Sequence, residues 1–293
     1  MKKTQKILVT GVNGQLGYDV LKRLQLLGYK NVLGIDIDDL DITNETAVYK
    51  FINEYQPNIV IHNAAYTQVD KAEIEQELAY KVNALGPKYL ASACKNVKAK
   101  MLYISTDYVF DGKGTNYFES NDQKNGLSIY GKTKSVGEDF VSSILDEYWI
   151  IRISWVFGIN GNNFIKTMLR LASSKKELNV VSDQIGSPTY TYDLAVLISQ
   201  MIETNKYGFY HATNEGICSW YEFAKYIFEV ANINILVNPV TTEEYKKLVS
   251  NQADRPLNSR LSKRSLIDNG FSLLPDWKDA VKRYINNEIK KEN

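Results

Sequence analysis

Short β-branched runs alternate with amphipathic stretches through the first half of the chain. Lys6–Thr10 (KILVT) reads as a buried strand and Leu16–Leu27 as a helix. Asn31–Asp36 (NVLGID) predicts the next strand, followed by a helix over about Thr43–Tyr55 with Thr43 at its N-cap. Asn58–His62, Lys100–Ser105 and Tyr148–Ile153 supply further strands, with helical segments between them. Strands that read as near-continuous apolar runs separated by helices point to an α/β fold with a parallel, doubly wound sheet. From Trp155 onward the alternation fades. A helix near Asn163–Ala172, a turn-rich Asp183–Thr191, a helix from Asp193 and another over Ser219–Ala231 remain, without a clear sheet. That half reads as a cap, closely integrated with the first because no Pro- or Ser-rich linker separates them. The division expected is residues 1–153 and 154–293.

Composition narrows the chemistry. Over 293 residues, 35 Lys and Arg face 34 Asp and Glu, a balance that argues against nucleic acid or an anionic membrane as partner. With 44% hydrophobic and 24% charged residues, the chain has ordinary globular composition. Two cysteines, Cys94 and Cys218, make neither a disulfide framework nor a cysteine-rich zinc site. Two histidines, His62 and His211, exclude a histidine-rich metal centre. The opening lysines precede an apolar run, Ile7–Val9, too short for a signal peptide. No later stretch approaches a membrane span. A cytoplasmic protein is expected.

The turn between the first strand and helix reads Thr10-Gly11-Val12-Asn13-Gly14-Gln15-Leu16-Gly17. Its three glycines suit a tight turn, close approach of a pyrophosphate and close helix–strand packing. The helix that follows offers N–H groups and a positive dipole end to that anion. Asp36 lies nineteen residues beyond Gly17, at the end of the second strand. A carboxylate there suits the ribose hydroxyls of NADH and repels a 2′-phosphate, and residues 35–39 contain no Lys or Arg to welcome one. NADH is therefore the preferred carrier, with NADPH still open.

Tyr130 and Lys134 stand four apart, on one face of a helix. An ammonium beside a phenol stabilises phenolate and lowers the tyrosine pKa, which makes a workable proton donor. Spacing alone is weak evidence, since 20 tyrosines and 28 lysines give about two such pairs by chance. Tyr18/Lys22 and Tyr221/Lys225 share it. Only Tyr130/Lys134 follows a strand ending Ser105-Thr106-Asp107, whose hydroxyls would emerge at the carboxyl edge where open α/β sheets bind ligands.

Thr10–Gly17, Ser105–Phe110 and Tyr130–Lys134 together resemble the extended short-chain dehydrogenase/reductase family. Asn63–Thr67, Val69–Glu73, Ser154–Phe157, Asn162–Phe164, Gly186–Thr189 and Arg255–Leu261 extend the likeness in order to its branch of sugar-nucleotide 4-ketoreductases. The resemblance implies a Rossmann-type domain carrying NAD(P)H and a smaller C-terminal region holding a nucleotide sugar, dTDP-4-dehydro-L-rhamnose, to be reduced at C4. By position it assigns Gly14, Gln15, Leu16, Asp36, Asp41, Ile42, Ala65, Tyr66, Thr67 and Ile104 to the cofactor. Thr106, Asp107, Tyr130, Lys134 and Trp155 match catalytic or substrate positions, although Trp155 also reads as a core aromatic at a strand end. Arg255 has the chemistry to hold the diphosphate or merely a surface ion pair. A 4,6-dehydratase would need a carboxylate after Asp107, where this chain has Tyr108. A nucleotide-sugar epimerase and a non-catalytic regulatory subunit are the alternatives. Some members of the family form metal-bridged homodimers. Here Gly17–Asp19 and Thr189–Asp193 hold too few carboxylates for a convincing Mg²⁺ site, which leaves the oligomeric state open.

Overall fold

A computed structural model describes residues 3–249, 252–287 and 289. Five strands carry the first half: β1 (Lys6–Thr10), β2 (Asn31–Ile35), β3 (Ile59–His62), β4 (Lys100–Thr106) and β5 (Tyr148–Ile153). A sixth, Gly208–His211, comes from the second half and pairs with β5. All six run parallel, ordered Gly208–His211, β5, β4, β3, β1, β2. The order reverses beside β1, which opens a crevice at the carboxyl ends of the strands.

The apolar runs are continuous because both sheet faces are covered. Ile7, Val9, Ile61, Leu102 and Ile151 pack on one side with Leu194 and Leu197 of the helix Thr191–Met201. Their strand neighbours Leu8, Val60, Met101, Tyr103 and Ile150 pack on the other with Ile52, Leu90 and Val141. A third cluster, including Phe157, Tyr190, Phe223, Trp277 and Tyr284, forms the core of the cap.

Local chemistry moves several expected boundaries. The helix Glu45–Tyr55 is capped by Asn44, whose side chain accepts the Ala47 N–H at 3.1 Å. Thr43, expected there, instead donates its hydroxyl to Asp41 Oδ1 at 2.7 Å. β2 stops at Ile35, one residue before Asp36, and β4 runs on to Thr106. Asn163 and Ser219 cap the helices Phe164–Ala172 and Trp220–Ala231, the latter through a capping box with Glu222. The second half does contain strands, mostly as two-stranded pieces such as Glu177–Val181 with Leu236–Val240. No helix among the described residues is long and apolar enough to cross a membrane.

Candidate active site

The crevice is a cavity of about 990 Å³. At one end lies the glycine turn. Gly11 has φ +72°, and a Cβ there would sit 2.8 Å from the Ala64 backbone nitrogen. A Cβ on Gly17 would sit 2.1 Å from the Gly11 carbonyl oxygen, so the first helix (Gln15–Leu26) can begin this close to β1 only with glycine there. Gly14 is its N-cap and contributes no side chain, leaving the helix start to backbone N–H groups. Asp36 reaches back across the turn: Oδ2 accepts the Asn13 N–H at 2.8 Å and Oδ1 accepts the Ile37 N–H at 2.8 Å. Each oxygen thus keeps further lone-pair capacity for a ribose hydroxyl.

Asp41, Ile42, Ala65, Tyr66 and Thr67 continue the wall. Buried Asn83 fixes that loop, accepting the Tyr66 N–H at 2.8 Å and donating to the Tyr66 carbonyl at 3.1 Å. An uncapped helix start, a carboxylate at the end of β2 and a long concave wall fit a dinucleotide.

At the other end, Ser128 caps the helix Ile129–Ile144 and aims its first turn at the end of β4. Tyr130 and Thr106 line the cavity together at that point. Burial pushes the Tyr130 phenol up to about 12; the nearby Thr106 hydroxyl works against that shift and the Asp107 carboxylate adds to it. Lys134 is fully buried, and its ammonium donates to the Ile104 carbonyl at 2.6 Å and lies 4.1 Å from the centre of the Tyr103 ring. Burial lowers its pKa to about 7, while Glu138 one turn onward opposes the shift. Burial is thus the largest influence at both groups, and the lysine is engaged by a backbone carbonyl.

Thr106 also donates to Asp107 Oδ1 at 3.0 Å, and Ser259 donates to Asp107 Oδ2 at 2.5 Å. Burial raises the Asp107 carboxyl to about 6 against those two bonds. Trp155 is half-buried, packed against the core of the cap and stacked on Trp220 with ring centres 3.8 Å apart. Its φ of +49° is a strained conformation for a bulky residue, and it lines the cavity.

Every residue assigned to cofactor, catalysis or substrate lines this one cavity except Arg255. Arg255 lines a neighbouring cavity of about 250 Å³ and forms an ion pair with Asp70 at 2.8 Å. Tyr18/Lys22 and Tyr221/Lys225 line neither cavity; each lysine lies over its own tyrosine ring. Two residues carry more weight than the sequence suggested. Tyr108, noted there only as not being a carboxylate, packs edge-on to Tyr130 at 5.5 Å and lines both cavities. Glu138, four residues after Lys134, is wholly buried and grips Arg152 through two bonds of 2.9 and 2.8 Å. Its i+4 spacing from Lys134 is a signal that could have found it. Among the described residues, no cluster of three or more His, Cys, Asp or Glu could hold a metal, and Asp19 accepts a hydrogen bond from Thr191.

A doubly wound parallel sheet, a glycine turn at its reversal point and a buried tyrosine–lysine helix define the Rossmann-type short-chain dehydrogenase/reductase class. A sequence model of the family described as the RmlD substrate binding domain matches residues 5–289, and the chain belongs to that family. It is 43% identical over 291 residues to the dTDP-4-dehydrorhamnose reductase of Aggregatibacter actinomycetemcomitans, covering 94% of this chain and 97% of the relative. A solved dTDP-4-dehydrorhamnose reductase from Clostridium acetobutylicum superposes with a TM-score of 0.92 at 47% identity, covering 96% of this chain and 99% of the other. One from Bacillus anthracis, solved in complex with NADP, gives 0.93 at 44% identity, covering 97% and 99%.

Proposed function

We propose that this chain is a dTDP-4-dehydrorhamnose reductase that converts dTDP-4-dehydro-L-rhamnose to dTDP-L-rhamnose in the cytoplasm. Near-full-length likeness to reductases of that name carries the reading, together with Thr106, Tyr130 and Lys134 meeting in one cavity. A bound NAD(P)H would supply the hydride for the C4 ketone. Gly11, Gly14, Gln15, Leu16 and Gly17 would hold its pyrophosphate, and Asp36 its adenosine ribose. The Asp36 carboxylate favours NADH, while the NADP complex of a relative supports acceptance of NADPH as well.

Tyr130 holds the proton. A phenol raised to about 12 stays protonated throughout the working range, and an alkoxide is basic enough to take its proton. Thr106 orients the phenol, and Lys134, fixed by Ile104, holds the nicotinamide ribose and offsets the phenolate as it forms. Asp107 and Trp155 bound the sugar, and Arg255 faces its diphosphate. Residues 1–153 would carry mainly cofactor and residues 154–293 mainly substrate, with Gly208–His211 returning to the sheet.

Oxidation of NADH, followed at 340 nm with dTDP-4-dehydro-L-rhamnose, tests the reading; no oxidation would favour a non-catalytic relative. Tyr130→Phe is expected to lower kcat by about 100-fold or more, the scale of a lost general acid, with NADH affinity unchanged. Unchanged kcat would remove Tyr130 from the mechanism.

A further inference from the structure

Arg255 and Lys246 are the two cations among the described residues lining the smaller cavity, and each is already held by a carboxylate. Lys246 reaches Asp254 at 2.6 Å. In Arg255, Nη2 donates to both Asp70 oxygens, at 2.9 and 2.8 Å, and Nη1 donates to the Ala253 carbonyl at 3.2 Å. A guanidinium has five N–H donors in a fixed fork. Both terminal nitrogens are thus engaged, so the end of the fork is not open to a second anion while Asp70 holds it.

The location sharpens this. Asp70 stands on the short segment Val69–Ala72, with Val69 on the large cavity; Arg255 is on the small cavity and Tyr108 on both. Asp70 Oδ1 also accepts the Ala253 N–H at 2.9 Å, so this one carboxylate ties both Ala253 and Arg255 to the Rossmann half. A nucleotide sugar with its sugar at Tyr130 and its nucleoside in the smaller cavity would carry its diphosphate past this junction.

We propose that Asp70 is an internal stand-in for the diphosphate: it holds Arg255 in the empty enzyme and releases it when the nucleotide sugar spans both cavities. This rests on the reading of Arg255 as the diphosphate's partner. The ion pair is partly exposed, at 25% and 45% of the two side chains, so exchange of one anion for another there is cheap.

Calorimetric titration of dTDP and of thymidine into wild type, Asp70→Asn, Arg255→Ala and the double variant separates the two ideas. Asp70→Asn should tighten dTDP by about twofold to fivefold, the strength of such a pair, and leave thymidine unchanged. The gain should vanish in the Arg255→Ala background. NADH affinity at the wild-type value verifies the fold, and Asp70→Ser carries the same expectation should the asparagine variant misfold. If Arg255→Ala weakens dTDP but Asp70→Asn weakens it or leaves it unchanged, the stand-in role falls and the diphosphate role of Arg255 survives. If Arg255→Ala leaves dTDP affinity unchanged, both fall.

Discussion

Lys134 couples the chemistry of the site to the stability of the molecule. Its ammonium is enclosed between the Ile104 carbonyl and the Tyr103 ring, and burial brings its pKa from 10.5 to about 7. Between those two values the unfolded chain binds a proton that the native chain does not, so this residue makes stability rise with pH from about 7 to 10.5. Lys134→Met should abolish turnover and also remove that rise. Urea midpoints for both proteins at several values across that window measure it, and parallel profiles would mean that Lys134 stays charged when buried. Glu138 feels the opposite balance. Burial favours its neutral acid, yet the Arg152 fork and nearby Lys124 hold its carboxyl below the usual range.

At the scale of elements, the glycine turn and the first helix form one unit. Gly17 exists because helix and turn approach so closely that any Cβ meets the Gly11 carbonyl. Gly17→Ala should cost about 1–3 kcal/mol, the scale of overpacking, and weaken NADH binding far more than dTDP binding. A thermal melt and the two titrations check this; an equal loss for both ligands would mean the damage is global. The helix Ile129–Ile144 works differently. Ser128 caps it, and Glu73 reaches across to accept the Ile129 N–H at 2.8 Å, so the segment after the cofactor wall helps set where Tyr130 begins.

Across the whole molecule, the two histidines sit fully buried on different parts of the sheet. His62 shares a 2.8 Å hydrogen bond with the Thr10 hydroxyl, and His211 Nε2 lies 3.3 Å from Arg152 Nη1. Burial lowers both to about 3 from 6.5, and nearby Lys134 and Arg152 push the same way on His62 and His211 respectively. Below pH 6.5 the unfolded chain takes up protons that the native chain refuses, so stability should fall steadily as pH drops toward 3. Carboxylates titrate in the same window, so the informative quantity is the difference made by His211→Gln, which keeps an acceptor for Arg152. That variant should lose stability less steeply between pH 6 and about 4, read as urea midpoints. An unchanged slope would show His211 charged in the native state.

The sequence by itself determined what short-range physics controls. β1 and β5 have their expected bounds because a strand covered on both faces reads as a nearly continuous apolar run, and the buried Arg152 in β5 is tolerated only because Glu138 pairs with it. The glycine turn was legible because only glycine tolerates such close backbone approach, and Tyr130/Lys134 because four-residue spacing gives one helical face. Thr43 was misread because Asn44 beside it competed for the same cap. What the tertiary structure alone decided joins residues far apart in the chain: Ser259 on Asp107 across 152 residues, Arg255 on Asp70 across 185 and Gly208–His211 beside β5. It also decided the order of proton affinities at Tyr130 and Lys134, because burial outweighs their mutual spacing. Such contacts and desolvation arise only once loops have closed and the core has packed, and neither leaves a periodic mark along the chain.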